Sequence, residues 1–365
     1  MLFGLTLRLR LRVLFAILLA AGGCCAVTPA VKAFALKIGA VDAPGESRRI
    51  HDRPIPRMGG LAILIGFLVG VLPFTALTQP IKGILVGSAM ITALGMLDDI
   101  LDLKPWIKLL VQLAAAFVAV QSGVVIHFVT NPGGTSSILL GALSVPITLL
   151  WIVGITNALN LIDGMDGLAA GVSSISCAAM LAVSMFMPEA TDVSVLLGGL
   201  GGACLGFLPY NRNPAKIFMG DTGAMLLGYV LATASVLGLL KMYTLVTFAV
   251  PLLALALPLS DTLFAIIRRT AHGKSIFRAD RGHIHHRLLA LGLTQKQSVA
   301  ILYAVSAILG LAAVLMAAGA AARFWLLLAA FFIAAAVWLY VFIGLHAAAE
   351  HEKQKKENEK EDDEK

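Results

Sequence analysis

The chain has 365 residues, of which 59% are hydrophobic and 13% charged, and its mean hydropathy is +0.89. No soluble core needs that much apolar surface, so the composition excludes a water-soluble globular protein and predicts an all-α integral membrane protein of many helices. The net charge of +7 hides an asymmetry: positions 350–365 hold eight acids and five lysines, while the rest carries 23 basic against 13 acidic residues.

Positions 1–349 read as one polytopic domain and 350–365 as a solvated, low-complexity tail. Arg8, Arg10 and Arg12 resemble a basic leader, but the apolar stretch behind them has Cys24-Cys25 and no small-x-small cleavage site, so a retained span is expected. The four cysteines (Cys24, Cys25, Cys177, Cys204) lie in apolar runs without metal-like spacing and read as packing. Runs near the roughly 20 residues a span needs fall at 13–34, 58–78, 82–98, 106–122, 138–156, 168–187, 193–209, 222–240, 243–267, 298–318 and 323–346, about eleven in all.

An eleven-span count sorts the loops into two alternating sets. One set (35–57, 98–105, 157–167, 210–221, 268–297 and the tail) is rich in Arg and Lys, and the other is nearly bare apart from Arg8, Arg10 and Arg12. The positive-inside rule then makes the first set cytoplasmic, the summed bias outweighing the three N-terminal arginines. Ten of the body's thirteen acids fall in the same loops. Dispersed basic charge without an aromatic-interleaved groove argues against nucleic acid and favours anionic lipid or a phosphorylated substrate.

The first of these loops, Ser47-Arg-Arg-Ile-His-Asp-Arg-Pro-Ile-Pro-Arg-Met-Gly-Gly60, is held extended by its prolines. Its basic groups are either a solvated flank or substrate contacts, with His51 and Arg57 the candidates. Gly59 and Gly60 would let a phosphate or lipid head approach the backbone. Next come Asp98, Asp99 and Asp102, a DDxxD pattern suited to holding a divalent cation against a diphosphate, with Asp98 and Asp102 on one helix face. Lys108 lies one turn beyond Lys104 in a helix that Pro105 starts.

The stretch Asn157-Ala-Leu-Asn-Leu-Ile-Asp-Gly-Met-Asp-Gly-Leu168 places two amides (Asn157, Asn160) and two carboxylates (Asp163, Asp166) within ten residues between apolar runs. Each Asp costs roughly 2.5–3.5 kcal/mol at a helix centre, so such a cluster belongs at a membrane edge or in a wet cavity, where it reads as an active-site floor. Asn211-Arg-Asn-Pro-Ala-Lys-Ile-Phe-Met-Gly-Asp-Thr-Gly223 runs into the eighth span. There Asp221 reads either as a helix N-cap or as an acid presented with a cation or anion at a helix N-terminus. Arg281-Gly-His-Ile-His-His-Arg-Leu288 lacks a cysteine, and the adjacent His285 and His286 cannot easily share one ion. Donors to a diphosphate (His283, His285, His286, Arg287) therefore fit better than a zinc site.

Five motifs in order (RRIHDRPIPRMGG, DDILD, NALNLIDGMDGLA, NRNPAKIFMGDTG and HIHHRLL), from about Asp42 to Leu291, resemble the polyprenyl-phosphate N-acetylhexosamine-1-phosphate transferases. The HIHHR loop looks like the branch acting on UDP-N-acetylglucosamine to begin teichoic acid, O-antigen or related polymers. The His-His-His-Phe run of the phospho-muramoyl-pentapeptide branch is absent. The resemblance implies Mg2+ (or Mn2+), a UDP-N-acetylhexosamine donor and a polyprenyl (undecaprenyl) phosphate acceptor in the membrane lipid. It leaves a homodimer open.

By position, Asn160 and Asp221 resemble the metal-side ligands and Lys108 a diphosphate contact. Phe218 resembles the uracil-stacking aromatic, Asp166 a uracil partner, and Asp98 and Asp99 the acids beside the lipid phosphate. His283, His285, His286 and Arg287 resemble a loop closing over diphosphate and sugar; Asn157 and Asp163 are counted as substrate contacts, and Asp261 as a structural polar group. A transporter or flippase would instead need polar groups near the membrane midplane.

Overall fold

The computed structural model describes residues 7–42, 54–130, 137–185, 191–239, 245–271 and 283–318. They form an all-α membrane protein with the helices α1 (Leu7–Lys37), α2 (Gly59–Val71), α3 (Gln79–Leu101), α4 (Pro105–Gln121), α5 (Ser144–Ile162), α6 (Leu168–Ser184), α7 (Thr191–Asn211), α8 (Gly220–Ala234), α9 (Leu245–Ala254), α10 (Ala256–Ala271), α11 (Ile284–Ala290) and α12 (Gln295–Ala318). Two small antiparallel ladders accompany them. Val41–Asp42 (β1) pairs with Ile55–Pro56 (β2), and Phe128–Thr130 (β3) with Ser137–Leu139 (β4).

Six stretches among the described residues are long and apolar enough to cross a membrane: α1, α3, 141–162, α7, 220–238 and α12. Helices α2, α4 and α6 are apolar but shorter. The expected eleven runs are thus modified. The second ends as a helix at Val71, and the ninth is two helices. The run at 323–346 and the tail lie outside the described residues.

Proline explains where helices break and what repairs them. Pro258 has no N–H, so the carbonyl four residues back, Ala254, loses its helical donor. The chain breaks between α9 and α10 there, and Ser176 Oγ from α6 donates to Ala254 O at 2.6 Å. Pro29 inside α1 likewise frees the Cys25 carbonyl, which accepts from Tyr210 Oη of α7 at 3.2 Å. In lipid, where no water substitutes, such donors keep a broken helix tolerable.

Small residues set the packing. Gly66 and Gly70 of α2 sit on Ala20 and Cys24 of α1, and Gly202 and Gly206 of α7 sit on the α1 backbone, so three helices approach closely. At the centre stands α8, whose Tyr229 is fully buried and donates to Ala115 O of α4 at 3.2 Å. At its N-terminus a Cβ on Gly60 would strike Gly223, and one on Gly95 would strike Thr222. The backbones of α2 and α3 therefore cross the first turn of α8 in direct contact, and this crossing builds the site.

Candidate active site

The ends of α3, α4, α5 and α8 converge on one ammonium group. Lys108 Nζ of α4 donates to Asp98 Oδ2 of α3 at 2.8 Å and to Asp221 Oδ2 of α8 at 2.9 Å. Asp98 Oδ1 accepts from Leu103 N at 2.9 Å. The Asn160 side chain, on the last turn of α5, bonds the same Asp221 carboxylate. Asp98, Asn160 and Asp221, from three motifs up to 123 positions apart, and Lys108 from outside the motifs are thus neighbours in space.

Adjacent acids in the DD pair do different work. Asp99 turns away from Lys108 and caps α8 from outside: Oδ1 accepts from Asp221 N at 3.0 Å, and Oδ2 from Thr222 N at 3.2 Å and Thr222 Oγ1 at 2.5 Å. This satisfies orphan N–H groups of a helix start with a carboxylate, favoured by the helix dipole. Asp221 is consequently not the cap of its own helix. Asp102 does not share the face of Asp98 either, because α3 ends at Leu101 and Asp102 sits exposed in the left-handed region at φ 48°.

Asn157 and Asn160 lie on α5 rather than in a loop. Asn157 Nδ2 donates to Gln112 Oε1 at 2.7 Å and to Val153 O at 2.8 Å, and Gln112 Nε2 reaches Asn157 Oδ1 at 3.4 Å. Both Asn157 amide groups are engaged, so it braces α5 against α4 one turn beyond Lys108. Gln112, fully inside an apolar helix, was readable as costly in lipid; its partner 45 positions on was not.

A cavity of about 270 Å³ opens beside this cluster, with Arg57, Asp99, Asp163, Asp166, Phe218 and Asp221 of the expected residues in its wall. Among the other residues that line it are the polar Asp42, Asn211 and Gln295, none of them named as a site residue from sequence. Burial, then the charges of Asp221, Asp99 and Asp166, push the Asp163 carboxyl up to about 8. Arg57 pairs with Asp42 across the β1–β2 ladder, and His51 lies outside the described residues. No ligand has room at Gly59 and Gly60. Their N–H groups bond Phe218 O and Met219 O at 2.9 Å, and Phe207 and Gly223 fill the space a Cβ would take. The glycines dock the first loop onto the loop before α8, which places Phe218 and Arg57 in one wall.

Asp166 Oδ2 accepts from Ala215 N at 3.0 Å and Asn213 Nδ2 at 2.9 Å, so this acid organises the loop that carries Phe218. Gly167 turns the chain at φ 78°, its N–H donating to Asn211 Oδ1 at 3.1 Å and its carbonyl accepting from Tyr303 Oη at 2.5 Å.

The histidine motif begins at α11. Asp261 of α10, buried, accepts from Ile284 N at 2.8 Å through Oδ1 and lies 2.9 Å from His283 Nδ1 through Oδ2. Such a bond orients an imidazole and leaves Nε2 as its working atom. Asp261 is thus a positioning residue for the motif; its signal in the sequence was a carboxylate inside an apolar run. His283 stacks on His285 with centroids 5.9 Å apart, and His286 lies 4.3 Å from His285. The His285 ring lies against Gly164, burial holds its pKa down to about 4, and its Nδ1 has no partner among the described residues. His286 and Arg287 are half-buried on the same short helix.

The model of the glycosyl transferase family 4 matches residues 81–239, the segment holding Asp98, Lys108, Asn160, Asp166 and Asp221. A Bacillus subtilis protein named as a probable undecaprenyl-phosphate N-acetylglucosaminyl 1-phosphate transferase is 44% identical, over 84% of this chain and 85% of its own. A Mycobacterium tuberculosis decaprenyl-phosphate N-acetylglucosaminephosphotransferase is 39% identical over 76% and 75%. A Heliobacterium modesticaldum phospho-N-acetylmuramoyl-pentapeptide-transferase is 34% identical over 67% and 78%. With relatives this similar along most of its length, the chain belongs to glycosyl transferase family 4.

Proposed function

We propose that the protein transfers N-acetylglucosamine-1-phosphate from UDP-N-acetylglucosamine to a polyprenyl (undecaprenyl) phosphate, releasing UMP and leaving a lipid-linked diphospho-sugar for a surface polymer. The observation that carries this is the Asp98–Lys108–Asp221 cluster at a bundle end, beside a cavity walled by Phe218 and Asp166. The positive-inside bias of the loops supports a cytoplasmic orientation of that end in the cell membrane, where a soluble nucleotide-sugar and a lipid phosphate would meet. Purified protein with UDP-N-acetylglucosamine, undecaprenyl phosphate and Mg2+ is expected to release UMP, and a panel of UDP-sugars then ranks donors. Passage of the UDP-sugar across vesicles without UMP release would point to a transporter instead.

A divalent cation fits the donors present. Among the described residues no three His, Cys, Asp or Glu form a cage, but Mg2+ is commonly held by one or two protein oxygens plus substrate phosphates. Asp221 and Asn160 would hold it, and its chemistry there is to neutralise charge on the diphosphate. The chain's own residues do the rest. Lys108 presents a fixed ammonium to the diphosphate, Asp98 and Asp221 fix Lys108, and Asp99 fixes the helix carrying Asp221. Asp261 holds His283 for the phosphates.

Crowding of carboxylates gives a pH test. Asp163, raised to about 8, carries a proton at neutral pH in the ligand-free protein. A cation bound nearby favours the carboxylate, so binding releases that proton at pH 7 and no longer does so well above pH 8. Titration of Mg2+ by calorimetry in buffers of different ionisation enthalpy is expected to show this release, and Asp163→Asn to remove it. Equal heats in all buffers would contradict it.

A further inference from the structure

The cavity wall contains a hydrogen-bond relay whose direction can be followed atom by atom. Asp166 Oδ2 accepts from the backbone N–H of Ala215 at 3.0 Å, which identifies that oxygen as an acceptor without ambiguity. The Asn213 side-chain atom at 2.9 Å from it must then be the amide nitrogen, donating. Its second hydrogen is directed to Gln295, 2.6 Å away, so the Gln295 atom there is the carbonyl oxygen. With Oε1 committed, Gln295 has only Nε2 left to offer, and among the described residues Nε2 meets no acceptor. Gln295 is half-buried and lines the cavity with Asp166 and Phe218. An anionic group two residues removed has thus set an amide to present a donor, and the Asn/Gln flip ambiguity disappears.

We propose that Gln295 is a specificity-determining residue of the donor site, its Nε2 donating to the O4 carbonyl of the uracil ring, and that it rejects cytidine nucleotides. This rests on the reading of Phe218 and Asp166 as the nucleotide wall and deepens it. Uracil carries an acceptor at position 4 where cytosine carries an amino donor, and O2 is common to both, so a fixed donor at position 4 separates the two bases. Gln295 opens α12, eight residues beyond Arg287. The base-reading contact therefore comes from the segment that follows the histidine motif and not from the five motifs themselves.

The test uses detergent-purified full chain, UMP and CMP as the ligands, and UDP- and CDP-N-acetylglucosamine as the donors. Wild type is expected to bind UMP about 10- to 100-fold more tightly than CMP, the range one directed hydrogen bond supplies. Gln295→Glu keeps an oxygen for Asn213 and replaces the donor by an acceptor. It is expected to weaken UMP by about that factor, strengthen CMP, and move the kcat/KM ratio of the two donors in the same direction. Gln295→Leu, a second variant in case the first folds poorly, is expected to weaken UMP and leave CMP unchanged. A purely structural Gln295 would lower the melting temperature and weaken both nucleotides alike, leaving the ratio unmoved. That unmoved ratio in a discriminating wild type overturns the role of Gln295 alone. Equal binding of UMP and CMP by wild type, or no UMP binding, overturns the nucleotide wall and this inference with it.

Discussion

Replacing Lys108 by Gln is expected to lower kcat/KM for UMP release by about a thousandfold or more, with a moderate loss of stability. Among the described residues Lys108 is the cation bonded to both Asp98 and Asp221, at 2.8 and 2.9 Å, in a half-buried site at the end of four helices. Two carboxylates left to share that space repel each other, and among the described residues neither is bonded to another cation. Breaking a buried pair by removing one partner costs about 3–5 kcal/mol; with Lys108 and Asp221 partly exposed, about 1–2 kcal/mol is expected. The expected kinetic loss is larger because, in the proposed function, the ammonium also meets the diphosphate and offsets its charge during transfer. Lys108→Arg restores the charge but not the geometry, since a planar guanidinium cannot place one donor between two oxygens as an ammonium does, and recovery is expected to be partial. The measurement is UMP release alongside a melting curve. Activity of Lys108→Gln within tenfold of wild type would remove Lys108 from the centre of the site.

Much of this arrangement was legible in the sequence, because the physical signal was cost. An acid or amide in an apolar run needs a wet or paired environment, and that argument found Asn157, Asn160, Asp163 and Asp166; the DDxxD pattern pointed to Asp98, a helix N-terminus to Asp221, and the family resemblance to Lys108. It did not find partners. Asp99 and Asp98 are adjacent and alike in sequence, yet one caps α8, 122 positions away, and the other binds Lys108. Asn157 carries the same polar signal as Asn160 and spends it on Gln112.

Glycine was ambiguous for a similar reason. Gly59 and Gly60 announce close approach, and what approaches is α8 and the loop before it rather than a ligand. Asp261 was visible as an expensive acid but not as the anchor of a motif 22 positions downstream. Spans read from hydropathy alone missed the break after Ala254, although Pro258 was in view. They also missed the β3–β4 ladder, which carries no strong alternation.

Asp98→Asn and Asp99→Asn, conservative and adjacent, are expected to fail in different ways. Asp99 accepts three hydrogen bonds from the first turn of α8, two of them on Oδ2. Asn supplies one acceptor oxygen, and its amide nitrogen would point a donor at donors. It also removes the negative charge at a helix N-terminus. A loss of about 2–4 kcal/mol in stability is expected, with activity falling because Asp221 rides on that turn.

Asp98→Asn keeps its bond to Leu103 N through the remaining oxygen and puts an amide nitrogen in place of the oxygen that accepts from Lys108, which stays paired with Asp221. Its melting temperature should change little while its rate falls. The pH profile then decides what Asp98 does. A phosphate monoester has a second pKa near 6, so at pH 7 about nine in ten lipid phosphates are dianions, and complete deprotonation gains less than about 0.1 kcal/mol. A general base has almost nothing to contribute, and an Asp98→Asn variant that lacks only positioning stays slow from pH 7 to 9. Recovery of its rate at high pH would make Asp98 the base after all. A phosphorylated Asp98 trapped during turnover would replace direct attack of the lipid phosphate with a covalent route.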